Sequence, residues 1–174
     1  TAHADDAQAT ATTAILMQHL PPPPMVSLQM SRVVVANPLL CGLVLHMQCL
    51  QTLTISSCPC FDDRAANLLL AQLPSLKLVS FDGLFELKNV NYAHSPVKIQ
   101  ELSIRKCPLL VSLRPKHYML RCSISQTAIT GTNIDDIVRA SVCLQELAVE
   151  ECRNVLAVAV RSSSLRRLSV ARCS

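Results

Sequence analysis

The sequence predicts an α/β solenoid, a parallel sheet that grows by one strand per unit. Three observations point there: a nine-residue pattern recurs, its copies start 20 to 26 residues apart, and the residues available for a core are aliphatic. Half of the 174 residues are hydrophobic, yet aromatics are 3% and Trp is missing, which suits many thin, similar layers. The length fits a single domain with a sizeable core.

Four copies of the pattern are plain: LQTLTISSC (Leu50 to Cys58), IQELSIRKC (Ile99 to Cys107), LQELAVEEC (Leu144 to Cys152) and LRRLSVARC (Leu165 to Cys173). Each is aliphatic at positions 1, 4 and 6 and has Cys at 9. Two more fit with exceptions. LPSLKLVSF from Leu73 has Phe81 in the ninth place, and MLRCSISQT from Met119 has Cys122 in the fourth and Thr127 in the ninth. A seventh starts at Met30, with Val33 and Val35. The starts at 30, 50, 73, 99, 119, 144 and 165 give intervals of 20, 23, 26, 20, 25 and 21 residues.

Positions 4 and 6 are two apart and so share one face of a short strand, with position 1 as a third inward anchor; positions 3 and 5 then face outward. Parallel neighbours lie about 4.8 Å apart and each needs a crossover to bring the chain back. Two crossovers read as helices. One runs from Asp63 to Gln72 after the capping Asp62, the other roughly from Asn133 to Val142 after Thr132, with Asp135 and Asp136 in its first turn. Asp82 to Lys98, with Pro96, and Pro108 to Tyr118, with Pro115, read as turns and loops.

The pattern LxxLxLxxC over residues 30 to 174 resembles the cysteine-containing leucine-rich repeats of F-box-type substrate receptors and other intracellular scaffolds. Cys49 and Cys143, each just before a first-position aliphatic, and the run AITGTNIDDIV after Thr127 share the likeness. The connectors are irregular in length, and no F-box-like segment precedes the repeats. The resemblance implies a non-catalytic adaptor that binds protein, in its most specific form the substrate-recognition repeats of a ubiquitin-ligase receptor. The alternatives are a structural subunit of a large multiprotein or ribonucleoprotein assembly and, more remotely, a thiol enzyme using Cys58 and Cys60.

Residues 1–29 read as an N-terminal helix over Asp5 to Leu20 and a proline-rich connector from Pro21 to Pro24, together a candidate cap for the repeat domain at 30–174. The last repeat ends at Ser174 without a cap, so more chain or a partner is expected to cover it. Nine cysteines, an odd number, with no signal-like opening and no Asn-x-Ser/Thr acceptor, predict a reducing intracellular compartment, cytoplasm or nucleus. The longest apolar stretch, Val33 to Leu45, is 13 residues and is broken by Asn37, Pro38 and Gly42, too short to span a membrane.

Catalytic and cofactor signatures are missing. Three glycines leave little for a phosphate-cradling loop, and there is no G-x-S-x-G, no CxxC and no HxxxH among the five histidines. No metal or cofactor is expected. Arg166-Arg167-Leu168-Ser169-Val170 has the form of a basophilic-kinase site, but Ser169 falls inside a strand, where a kinase cannot extend the backbone.

Charge is asymmetric, net −3 over residues 1–87 and +7 over 88–174. Without aromatic stacking residues this basicity does not point to nucleic acid. Aligning the copies puts Glu101, Arg121, Glu146 and Arg167 in the position-3 column, Arg105 and Glu150 in position 7, and Lys106, Glu151 and Arg172 in position 8. With Arg166 these form the candidate protein-binding surface, and the open C-terminal edge is a second place for a partner.

Overall fold

The computed structural model describes residues 24–34 and 47–173. The expected helix over Asp5 to Leu20 lies outside the described residues, as do Val35 and most of the apolar stretch that follows it.

The chain is α/β. Seven five-residue strands form one parallel sheet: β1 (Ser27–Ser31), β2 (Thr52–Ser56), β3 (Leu78–Asp82), β5 (Glu101–Arg105), β7 (Arg121–Ser125), β8 (Glu146–Glu150) and β9 (Arg167–Ala171). Their order across the sheet follows their order in the sequence. Position 4 pairs with position 4 and position 6 with position 6 throughout, as in Leu102 beside Cys122 and Ile104 beside Ile124. These two positions point into the core in β2, β3, β5, β7 and β8, while 3, 5 and 7 point out.

The backbone repeats as closely as the side chains do. The position-2 carbonyl of each unit accepts from the position-2 and position-3 N–H groups of the next, from Val26 O with Gln51 and Thr52 through to Gln145 O with Arg166 and Arg167. Position 8 is left-handed in every unit: Arg32, Ser57, Gly83, Lys106, Gln126, Glu151 and Arg172 have φ between 50° and 64°. Six non-glycine residues hold this uncommon conformation. In all units but the last, the position-8 N–H donates to the position-7 carbonyl of the next strand, at 2.8 to 3.1 Å.

Two expected registers are corrected by this geometry. In the third unit Val79 and Phe81 pair with Leu53 and Ile55, so the copy starts at Leu76 rather than Leu73 and Phe81 fills position 6. Its ninth residue is the buried Leu84. In the first unit Leu28 and Met30 pair with Leu53 and Ile55, so the copy starts at Met25 rather than Met30. Leu73 misled because Leu73, Leu76 and Leu78 imitate the spacing 1, 4, 6, whereas Leu73 is the C-cap of a helix.

The connectors lie behind the sheet. Helix α1 (Asp63–Gln72) starts where expected, with the Asp62 carboxylate accepting from Ala65 N at 2.9 Å. Helix α2 runs Gly131–Ala140, two residues earlier than expected, because Thr130 rather than Thr132 is its cap. That removes Asp135 and Asp136 from the first turn; Asp135 Oδ1 instead accepts from Ala159 N of the next connector at 3.0 Å. Asp63 does the same for the following unit, accepting from Lys88 N and Asn89 N. Burial would raise the Asp63 carboxyl, but these bonds outweigh it and hold the group below its ordinary value. The connectors read as loops contain β4 (Asn89–Asn91) and β6 (Ser112–Arg114), which pair in parallel as a second, two-stranded sheet.

The core is the space between sheet and connectors. Leu53, Ile55, Phe81, Leu102, Ile104, Ile124, Leu147 and Val149 enter from the strands, and Ala66, Leu69, Leu70, Ile134 and Ile137 from the helices. Each fully buried Leu, Ile, Val or Phe side chain contributes about 1.5–3 kcal/mol relative to exposure. Among the described residues no helix is long and apolar enough to cross a membrane.

Candidate functional site

Four of the described cysteines fill position 9 of the frame. At position 9 the thiols of Cys58, Cys107, Cys152 and Cys173 donate to the position-7 carbonyl of their own strand, at 3.2 to 3.4 Å. Each thus bonds the carbonyl just before the left-handed residue where the strand ends. Cys58, Cys107 and Cys152 are buried, whereas Cys173 is only half-buried. Burial pushes the Cys107 thiol up to about 11 and Cys122 up to about 12. A thiol that resists ionisation is a poor nucleophile and metal ligand. Among the described residues no group of three His, Cys, Asp or Glu is placed to hold a metal ion.

What remains chemically available is the outer face of the main sheet. A groove of about 340 Å3 crosses it from β2 to β9. Its middle is the position-5 row of Thr54, Ser80, Ser103, Ser123, Ala148 and Ser169, all small and most hydroxylic. One wall is the position-3 row, Thr52, Leu78, Glu101, Arg121, Glu146 and Arg167. Here the expected charge column forms two ion pairs. Arg121 bonds Glu101, and Arg167 Nη1 lies 3.1 Å from Glu146 Oε1, each Arg reaching back to the preceding unit. Both pairs are exposed enough that each contributes no more than about 1 kcal/mol, so they shape the surface more than they stabilise the fold.

Positions 7 and 8 edge the other side of the face. Arg105 and Glu150 stand exposed at the ends of β5 and β8. Lys106, Glu151 and Arg172 occupy the left-handed exit. Glu151 accepts from Gln126 at 2.6 Å and from Arg172 at 2.8 Å, and these bonds, Gln126 first, hold its carboxyl below the ordinary value. Arg166 does not join these rows. It is at position 2, before the strand, in a separate depression with Val142, Cys143 and Leu165.

Nine of the ten expected surface residues therefore share one face, in two rows separated by the small residues of position 5. That middle row was missed as a feature, although laying the units over one another exposes it once Leu73 is replaced by Leu76 as a start. Leu78 was missed for the same reason. The corrected frame moves it from an inward anchor to the outer wall, 37% exposed. Ser57, exposed, is the left-handed residue that follows β2.

No family model, curated protein or solved structure matches this chain.

Proposed function

We propose that this chain is a non-catalytic protein-binding scaffold, a leucine-rich-repeat-type solenoid that receives its partner on the outer face of the main sheet. The observation that carries the reading is the groove itself. Seven strands in sequence order present a continuous face that no described connector covers, with a low row of small hydroxyl side chains between charged rows. A central row without bulk lets a partner approach the sheet, and alternating charge on the wall selects for complementarity and orientation. Buried thiols with raised pKa values argue against nucleophilic chemistry at Cys107 and Cys122. An intracellular, reducing setting accords with free cysteines at every described position that has one.

The test is Glu146→Lys, which sets a third positive charge between Arg121 and Arg167. Against a partner identified by co-purification and mass spectrometry, affinity should fall by about tenfold or more, while the melting temperature stays close to the parent's because the site is exposed. Unchanged affinity would move the interface off this face.

A further inference from the structure

The lower edge of the same face holds an unusual charge arrangement. A cleft of about 380 Å3 lies across β5, β7 and β8, with Arg105 and Lys106 at one side and Glu150 and Glu151 at the other. Between them the floor is Ser103, Ser123, Ser125 and Gln126. The two charged sides are two strands apart, about 10 Å. At physiological salt the screening length is about 8 Å, so they do little to neutralise one another.

Three of these four charges are not spent elsewhere. Among the described residues Arg105, Lys106 and Glu150 form no ion pair; Glu151 is bridged by Arg172. Asp82, the strand partner of Arg105, makes no ion pair with it either. The cleft is therefore dipolar, with a cationic wall and an anionic wall facing each other over hydroxyls.

Resting on the protein-binding reading above, we infer that this cleft takes an extended polypeptide segment carrying a carboxylate and a basic side chain four residues apart, the acid on Arg105 and Lys106 and the base on Glu150 and Glu151. Residues four apart lie on one face of an extended chain, and the roughly 13 Å between them lets both side chains reach walls about 10 Å apart. The serine floor offers donors and acceptors to an open main chain, which a helix, having satisfied its own, would leave unused. A long ligand is favoured because Ser103 and Ser123 also line the large groove, so the two depressions are continuous. A segment of a single charge sign would meet repulsion from one wall.

The experiment follows amide resonances of the isotopically labelled protein while blocked hexapeptides are added: Asp-Asp-Ser-Ser-Lys-Lys, and all-acidic and all-basic versions with the same central serines. The mixed peptide should shift Ser123 and Ser125 saturably and bind about tenfold more tightly than either like-charged peptide. Arg105→Glu with Lys106→Glu should abolish that preference. Adding Glu150→Lys and Glu151→Lys should restore it, because the reversed cleft accepts the same peptide in the opposite direction. Should the fourfold variant fail to fold, single exposed changes decide: Arg105→Glu and Glu150→Lys must each weaken the mixed peptide. No saturable shift, equal binding of the all-acidic peptide, or indifference to both single changes would overturn the inference. A co-purified partner that is lost on Glu146→Lys while the peptide ignores the cleft would leave the scaffold standing and remove only this assignment.

Discussion

The units that begin at Ile99 and Leu165, IQELSIRKC and LRRLSVARC, share the inward pattern of aliphatic residues at positions 1, 4 and 6 and Cys at 9, but not their neighbours. Leu102 is 1% exposed and Leu168, its counterpart at position 4, is 46% exposed. Ile104 is fully buried and Val170 is 43% exposed. β5 lies between β3 and β7, whereas β9 has a described strand only on the β8 side. Burial here is thus a property of the pair of layers rather than of the unit, as expected when each unit touches only the ones beside it. Among the described strands, each interior unit packs against two neighbours and the β9 unit against one.

The strongest way to break that comparison is to cut the same side chain in both places. Leu102→Ala should cost about 2–5 kcal/mol, since it removes a buried side chain and leaves a cavity held open by both neighbouring layers. Leu168→Ala should cost about 1 kcal/mol, because half of that side chain is already in water. Urea unfolding followed by circular dichroism reads both, and equal losses would mean that β9 is as enclosed as β5.

A seam between layers can be tested apart from the apolar side chains. Gly131 opens α2, and a Cβ placed there would lie 1.8 Å from the carbonyl oxygen of Ala157 in the next unit's connector. Gly131→Ala must therefore push that connector away, at a cost of about 1–3 kcal/mol. Gly83→Ala sharpens the contrast. Its Cβ would meet Ser57 Oγ at 3.2 Å, and its φ of +64° is one that six other residues at position 8 already tolerate. Its cost should be about 1 kcal/mol. A Gly131→Ala protein as stable as Gly83→Ala would show that connector packing adds little to the coupling between units.

These layers also show which parts of the fold were legible in advance. Copies ending in Cys were placed without error, since a buried thiol bonding its own strand's carbonyl leaves a recognisable residue. The third unit was misplaced because aliphatic spacing alone does not distinguish a helix end from a strand: Leu73, Leu76 and Leu78 satisfy the pattern while only Leu76 begins it. Gly83 was the available signal for the left-handed exit, and it went unused because the other units fill that position with Ser, Lys, Gln, Glu or Arg. Thr130 and Thr132 flank Gly131, and composition does not choose between two threonines as the cap. The charged rows were legible by alignment, but the dipolar cleft was not, because it depends on which charges find partners across strands.

The mildest probe leaves the sequence intact and asks the thiols how often each layer opens. Cys107 and Cys173 share position 9 and the same carbonyl bond, yet the first is fully buried and the second half-buried. With a maleimide at pH 8 the exposed Cys49, Cys60 and Cys143 should react first and Cys173 next. Cys107 and Cys122 should follow only as their layers open. Ionisation reinforces this order: with its thiol pushed up to about 11, Cys107 is thiolate in roughly one molecule in a thousand at pH 8. The sign for stability follows from the same shifts. In the unfolded chain these thiols lose protons near 9, while burial holds the folded ones at about 11 and 12. Below pH 9 both states are protonated and the contribution is complete. Above it the unfolded chain binds fewer protons, so stability should fall as pH rises from 9 toward 11. Mass spectrometry of labelled peptides against time gives the order directly. Cys107 modified as fast as Cys173 in folded protein would mean that interior and edge layers open together, and that the difference in burial between β5 and β9 carries no difference in local stability.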